Sequence, residues 1–168
     1  MTEILPRRAV DPAAFREALA LHPAGVVIIT AHSGGAPAGL TATSFSSVSL
    51  DPPLVSFYVD RSSTTWPALR ATDRFAVNLL TGDQADLAAR FARRGADRFA
   101  PPTSWHPDEH GAPLLDGAGA HLSCVRHSTV DIGDHILVVG LVTGADLIDG
   151  GHPLLYHRGS FGHFHPHG

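Results

Sequence analysis

The chain has 168 residues, 43% of them hydrophobic and 17% charged, the profile of one soluble globular domain with room for a core. A net charge of −4 and a pI near 6.3 argue against nucleic acid or an anionic membrane as partner. Apolar runs such as VVII are too short to span a bilayer, no signal peptide opens the chain, and the single cysteine, Cys124, excludes an internal disulfide and points to a reducing cytoplasm.

Asp11-Pro12 opens a helix, with Asp as N-cap and Pro at the first helical position, and Phe15, Ala18 and Leu19 share one face of it. GVVIIT, a continuous β-branched run, predicts a buried strand over residues 25–31. The turn cluster SGGAPAG makes that strand one arm of a hairpin whose other arm is residues 39–50. Residues 54–59 and 74–80 are further strands, and the segment between them reads as a short helix opening at Ser62 or Ser63. Residues 82–95 form an amphipathic helix with Leu87, Arg90, Phe91 and Arg94 at helical spacing and Gly95 as its stop. A long loop over residues 96–113 carries Trp105. Two long strands then flank Gly133-Asp134-His135, and a last short pair surrounds PLLYHRGSFGHF.

Strands outnumber helices and mostly follow one another in sequence. The expected fold is mainly β: an antiparallel, Greek-key-like barrel with a few short peripheral helices. One domain is expected over residues 1–168, with an N-terminal arm (1–11), a C-terminal tail (165–168), and no repeat or linker.

Absent motifs narrow the chemistry. The sequence has no G-x-G-x-x-G, Walker loop, H-E-x-x-H or C-x-x-C, and Arg158 stands where a nucleophile elbow around Ser160 needs glycine. The main positive feature is the hydroxyl-rich stretch GLTATSFSSVSLDPPL, residues 39–54. Backbone amides and short hydroxyls along a strand can line a flat heteroaromatic ligand, whereas the plainer alternative is a solvent-facing edge strand. Ser62, Ser63 and Thr64 at an expected helix start make an anion site, or ordinary caps. Arg93 and Arg94 close the next helix beside Phe91 and complement its dipole or reach a ligand. Together these elements describe a place for a flat ring with a phosphate tail.

The succession HPAGVVIITA, GLTATSFSSVSLDPPLVSFYVDRSSTTWPAL, DRFAVNLLTGDQADLAARFA and GDHILVVGLV resembles the short-chain flavin reductases, the NAD(P)H:flavin reductase components of two-component monooxygenases. The resemblance runs from about Phe15 to Phe164, and its most specific pieces are S-F-S-S-V-S-x-x-P-P and the later G-D-H. It implies a split β-barrel that binds FMN or FAD near the interface of a homodimer, with NADH or NADPH as hydride donor and a flavin-dependent oxygenase as recipient. Ala24 stands where that family often has Thr, which removes one polar contact.

By this resemblance Thr41, Ala42, Thr43 and Ser44 line the isoalloxazine, while Ser47, Val48 and Ser49 follow the ribityl chain. Ser62, Ser63 and Thr64 meet the phosphate, with Arg93 or Arg94 and Phe91 close by, and Asn78 supports the strand beneath the ring. His135, oriented by Asp134, positions the nicotinamide, since hydride transfer needs no protein nucleophile. Two other readings compete: a flavin-binding carrier or sensor without turnover, and a metal-binding module on His163, His165 and His167. His106 and His110 have helical spacing, but Pro107 argues against a helix there, and Cys124 reads as an inert strand residue.

Overall fold

Asp11 caps helix α1 (Pro12–Ala20) as its position before proline predicts, its carboxylate accepting from the amides of Ala13 and Ala14. The structure is a computed structural model that describes residues 8–148 and 150–168; residues 1–7 of the expected arm lie outside the described residues, as does Asp149. α1 buries none of its residues, so its apolar face is open to solvent.

The expected strand at residues 25–31 comes in two pieces, β1 (Ala24–Gly25) and β2 (Val27–Ser33). Val26 separates them because its amide and carbonyl bond to Leu154 and Leu80. The hairpin partner also differs from expectation. β3 (Ala36–Ala42) pairs with β2, whereas β4 (Ser46–Leu50) leaves it and pairs with β5 (Pro53–Asp60). The chain continues through α2 (Trp66–Arg70), β6 (Arg74–Leu79) and α3 (Ala85–Ala92). Within the expected loop lie two short strands, β7 (Trp105–Pro107) and β8 (Pro113–Leu115), paired with each other. The long hairpin β9 (Ala120–Ile132) and β10 (His135–Leu147) matches expectation, and β11 (Leu154–His157) and β12 (Ser160–His163) close the chain.

One seven-stranded antiparallel sheet has the order β3-β2-β6-β9-β10-β5-β4. Its two ends, β3 and β4, are joined by residues 43–45 alone, so the sheet must curl until its edges meet. That makes it a barrel split at one seam. β1, β11 and β12 form a small separate sheet.

β2 explains its own composition. Val27, Ile29 and Ala31 point into the barrel with Phe57, Val77 and Val138. Ile28 faces a second cluster with Phe91, Leu115 and Leu154 beneath α3. Both faces are buried, so the strand is uniformly apolar rather than alternating. Burying each of Ile28 and Ile29, both at 0% exposure, contributes about 1.5–3 kcal/mol. Gly39 lets α3 approach, since a Cβ there would stand 2.9 Å from Phe91 Cε1 and from the Ile29 carbonyl. Among the described residues no helix is long and apolar enough to cross a membrane.

Asn78 ties these layers together while wholly buried. Its Nδ2 donates to the Ile28 carbonyl and to Thr30 Oγ1, each at 3.0 Å, and its Oδ1 accepts from the Leu115 amide at 2.8 Å. It supports the strand next to β3 through backbone, as a clasp between β2, β6 and β8.

Candidate functional site

At the seam, where β3 gives way to β4, a cleft of about 370 Å³ opens between the end of β5, the turn after it and the corner that follows α3. Thr41, Ala42, Thr43 and Ser44 line it together with Tyr58, Val59 and Asp60 of β5 and with His135. Residues 43–45 belong to neither ladder: β3 stops pairing with β2 at Ala42, and β4 begins pairing with β5 at Ser46.

The hydroxyls divide into two kinds. Thr41 donates to the Ala88 carbonyl of α3 at 2.6 Å. Ser44 accepts from the Tyr58 amide at 2.9 Å. The first ties α3 to β3 and the second closes the seam against β5, whatever the cleft contains. Thr43 is exposed, and among the described residues its hydroxyl has no protein partner, nor has that of Thr64. Ser63 Oγ accepts from the Thr65 amide at 3.2 Å and keeps its own proton to give.

The expected helix start at Ser62 or Ser63 is a turn. Asp60 accepts both the amide and the hydroxyl of Ser62, each at 2.7 Å, and the helix begins only at Trp66, with Pro67 in its first turn. A five-residue helix adds little dipole, so this rim acts through hydroxyls and cations. The Ser62 hydroxyl and amide hold the Asp60 carboxyl below the usual aspartate range. α3 likewise ends early, at Ala92, with Arg93 already extended as C-cap and Gly95 beyond it at φ +72°. Arg94 then reaches across the cleft, its Nη2 donating to Ser62 Oγ at 3.3 Å.

Not every expected residue lines this cleft. Phe91 reaches its wall but is 0% exposed, a core residue that Gly39 and Phe99 pack against. Ser62 stands behind Arg94, and Arg93 is turned away, offering its carbonyl to Arg98. Ser47, Val48 and Ser49 sit on β4, outside the lining, where Val48 interrupts the register with β5.

Sequence reasoning missed Arg98. Its Nη1 donates to the Gly39 carbonyl at 2.6 Å and to Thr65 Oγ1 at 2.7 Å, and its Nη2 donates to the Arg93 carbonyl at 3.0 Å. It fastens the corner after α3 to β3 and to the start of α2, and burial lowers its pKa without discharging it. No local signal marked it: in Ala96-Asp97-Arg98-Phe99-Ala100 it reads as an ordinary surface cation beside a carboxylate.

His135 opens β10 opposite Asp60 and Ile132. Its Nδ1 is 2.7 Å from Asp134 Oδ1, and that bond holds the Asp134 carboxyl below its usual range. With Nδ1 fixed on the carboxylate, Nε2 is the nitrogen left to face a ligand. The tail histidines go elsewhere: His163 packs on Gly82, and the His165 ring lies 6.3 Å from that of His152. His106, on an extended strand, bonds Asp116 at 2.9 Å.

The structure is thus a split barrel whose seam carries a groove lined by hydroxyls, an imidazole and a guanidinium. The chain belongs to the flavin reductase family: the model of the flavin reductase like domain matches residues 19–165. It is 44% identical over 151 residues to the NADH:FMN oxidoreductase of Rhodococcus erythropolis, covering 88% of this chain and 79% of that one. It is 38% identical over 154 residues to HsaB of Mycobacterium tuberculosis, the reductase subunit of a flavin-dependent monooxygenase, covering 90% and 82%. Among solved structures, the Streptomyces globisporus NADH:FAD oxidoreductase SgcE6, in complex with NAD and FAD fragments, superposes with a TM-score of 0.87 at 36% identity, covering 95% of this chain and 98% of that one.

Proposed function

We propose that this protein is an NAD(P)H:flavin oxidoreductase that reduces FMN or FAD and supplies the reduced flavin to a partner oxygenase. The observation that carries the reading is one cleft lined by an imidazole, His135, and a guanidinium, Arg94, together with short hydroxyls and small or apolar residues. Its volume lies within the ~300–1,000 Å³ usual for small-molecule sites. A bound flavin supplies an acceptor for the hydride of the nicotinamide.

The protein's own groups do the rest. Ala42 and Val59 give the ring a flat apolar bed. Thr43 and the backbone released between the two ladders offer donors to its polar edge. Ser63, Thr64 and Arg94 hold the phosphate. His135, steadied by Asp134, presents Nε2 to the carboxamide side of the nicotinamide and keeps it stacked; no side chain is needed as nucleophile.

The single domain works as a homodimer, a reading supported by α1, whose Phe15 and Leu19 are 54% and 51% exposed and which at nine residues is too short to persist in water uncovered. The buried lone thiol of Cys124 supports a cytoplasmic setting. The deciding experiment follows NADH and NADPH oxidation after FMN or FAD is added to the purified protein. Flavin-dependent oxidation with at least one of the four pairings is expected. Flavin binding with no oxidation in any of them would leave a carrier, and no binding at all would remove the flavin reading.

A further inference from the structure

Among the described residues that line the cleft, Asp60 is the one carboxylate. It closes β5, stands opposite His135 across the ladder and precedes the turn that carries Ser62, Ser63 and Thr64. The reaction read above has no use for it. Hydride transfer asks for no base, and a carboxylate repels a phosphate.

Its bonds show what it does instead. Asp60 Oδ1 accepts both the amide and the hydroxyl of Ser62, each at 2.7 Å. A turn amide, a hydroxyl and a guanidinium close behind them are the donors that a bound anion would take. Here Arg94 Nη2 donates to that same hydroxyl at 3.3 Å, so Asp60, Ser62 and Arg94 form one connected chain. The Ser62 hydroxyl and amide hold the Asp60 carboxyl below its usual range, and His135 and Arg94 add smaller pulls. The carboxylate is thus ionised and exposed, and its Oδ2 makes no hydrogen bond among the described residues.

The charges around it are otherwise engaged. Arg61 pairs with Asp131 at 3.4 Å, and Asp134 is bonded to His135. Of the two guanidiniums that line the cleft, Arg98 donates to Gly39, Thr65 and Arg93. That leaves Arg94 to answer both Asp60 and a ligand.

We propose that Asp60 is an internal competitor for the flavin phosphate: it occupies the donors of Ser62 and draws on Arg94, so the phosphate is held weakly and the flavin exchanges as a substrate. The inference rests on the flavin reading of the cleft and adds to it the residue that sets how tightly the cleft grips its ligand. A reductase that hands on reduced flavin must let it go. A carboxylate beside the phosphate favours release without touching the ring.

Asp60→Asn keeps an oxygen to accept from Ser62 and removes the charge. Asp60→Ser is a second neutral variant, and Asp60→Glu retains the charge. Binding is read by quenching of FMN and riboflavin fluorescence, titrated in parallel against the purified full chain. Repulsion between charges a few ångströms apart on an exposed rim is worth about fivefold in affinity, so FMN should bind about fivefold more tightly to the neutral variants. Riboflavin, which lacks the phosphate, should move by less than about twofold, as should FMN on Asp60→Glu, and added salt should shrink the gain. A gain cannot come from damage to the fold. No gain for FMN in either neutral variant, an equal gain for riboflavin, or the same gain in Asp60→Glu would overturn the proposal. Native protein that quenches neither flavin would instead count against the flavin reading of the cleft, a different result.

Discussion

Arg94→Ala tests the phosphate end of the cleft directly. The guanidinium lies on the exposed rim, 3.3 Å from Ser62 Oγ, and among the described residues it forms no ion pair. A phosphate drawn to the same rim would sit about 4 Å from it, where two unit charges attract by about 1 kcal/mol in water and about 4 kcal/mol at an effective dielectric near 20. An exposed rim lies between these limits, so a loss of about 2 kcal/mol is expected, or about 30-fold in FMN affinity. The assay is quenching of FMN and of riboflavin, which has the same ring and ribityl chain but no phosphate. FMN binding should weaken by that amount, riboflavin binding should not move, and Arg94→Lys should recover most of the loss. Because the interaction is solvent-exposed, added salt should narrow the gap between native protein and variant. Equal weakening of FMN and riboflavin would show that Arg94 shapes the cleft and does not meet a phosphate, and the assigned polarity of the site would fall.

Asn78→Ala leaves the buried Leu115 amide without its acceptor and strips a donor from Ile28 and Thr30, a loss of about 3–5 kcal/mol. At about 2–4 °C per kcal/mol for a chain of this size, Tm should fall by about 6–20 °C; a drop below about 3 °C in a circular dichroism melt would contradict the clasp. His135→Ala should raise the KM for NADH by about tenfold while flavin affinity holds; a large loss in a flavin titration would refute that division of labour. Burial pushes the Cys124 thiol up to about 12, so a thiol reagent at mildly alkaline pH should label it no faster than the protein unfolds. Rapid labelling of the native state would mean that the barrel interior is open.

How much was legible in the sequence follows from where each signal resides. The Asp11-Pro12 cap, the two-faced strand at Val27–Ala31 and the Gly133-Asp134 turn between the long strands are local features, and each is where its residues place it. The errors came from partners distant in sequence. Ser62 looks like a helix cap until Asp60 takes both its amide and its hydroxyl, which delays α2 to Trp66. Gly95 looks like a helix stop, yet Arg98 has already drawn the Arg93 carbonyl aside, and the helix ends sooner. Arg98 itself contacts Gly39 and Thr65, 59 and 33 residues away, and no spacing rule reaches that far.

The same distinction explains the hydroxyl-rich run. Between Ala42 and Ser46 the chain exchanges one ladder partner, β2, for another, β5, and the intervening residues have no strand beside them. A break of this kind in a barrel wall would leave the Tyr58 amide of β5 unpaired. Ser44 supplies the missing partner, while Thr41, the last but one residue of the β2 ladder, ties β3 to α3 through the Ala88 carbonyl. Val in either place would keep the β-propensity and lose the bond. Thr43, between them, has no such duty and faces the cleft. The groove is therefore a by-product of how the sheet is shut: one hydroxyl seals the seam against β5, one fastens the helix outside it, and Thr43 is left to meet whatever lies in the opening.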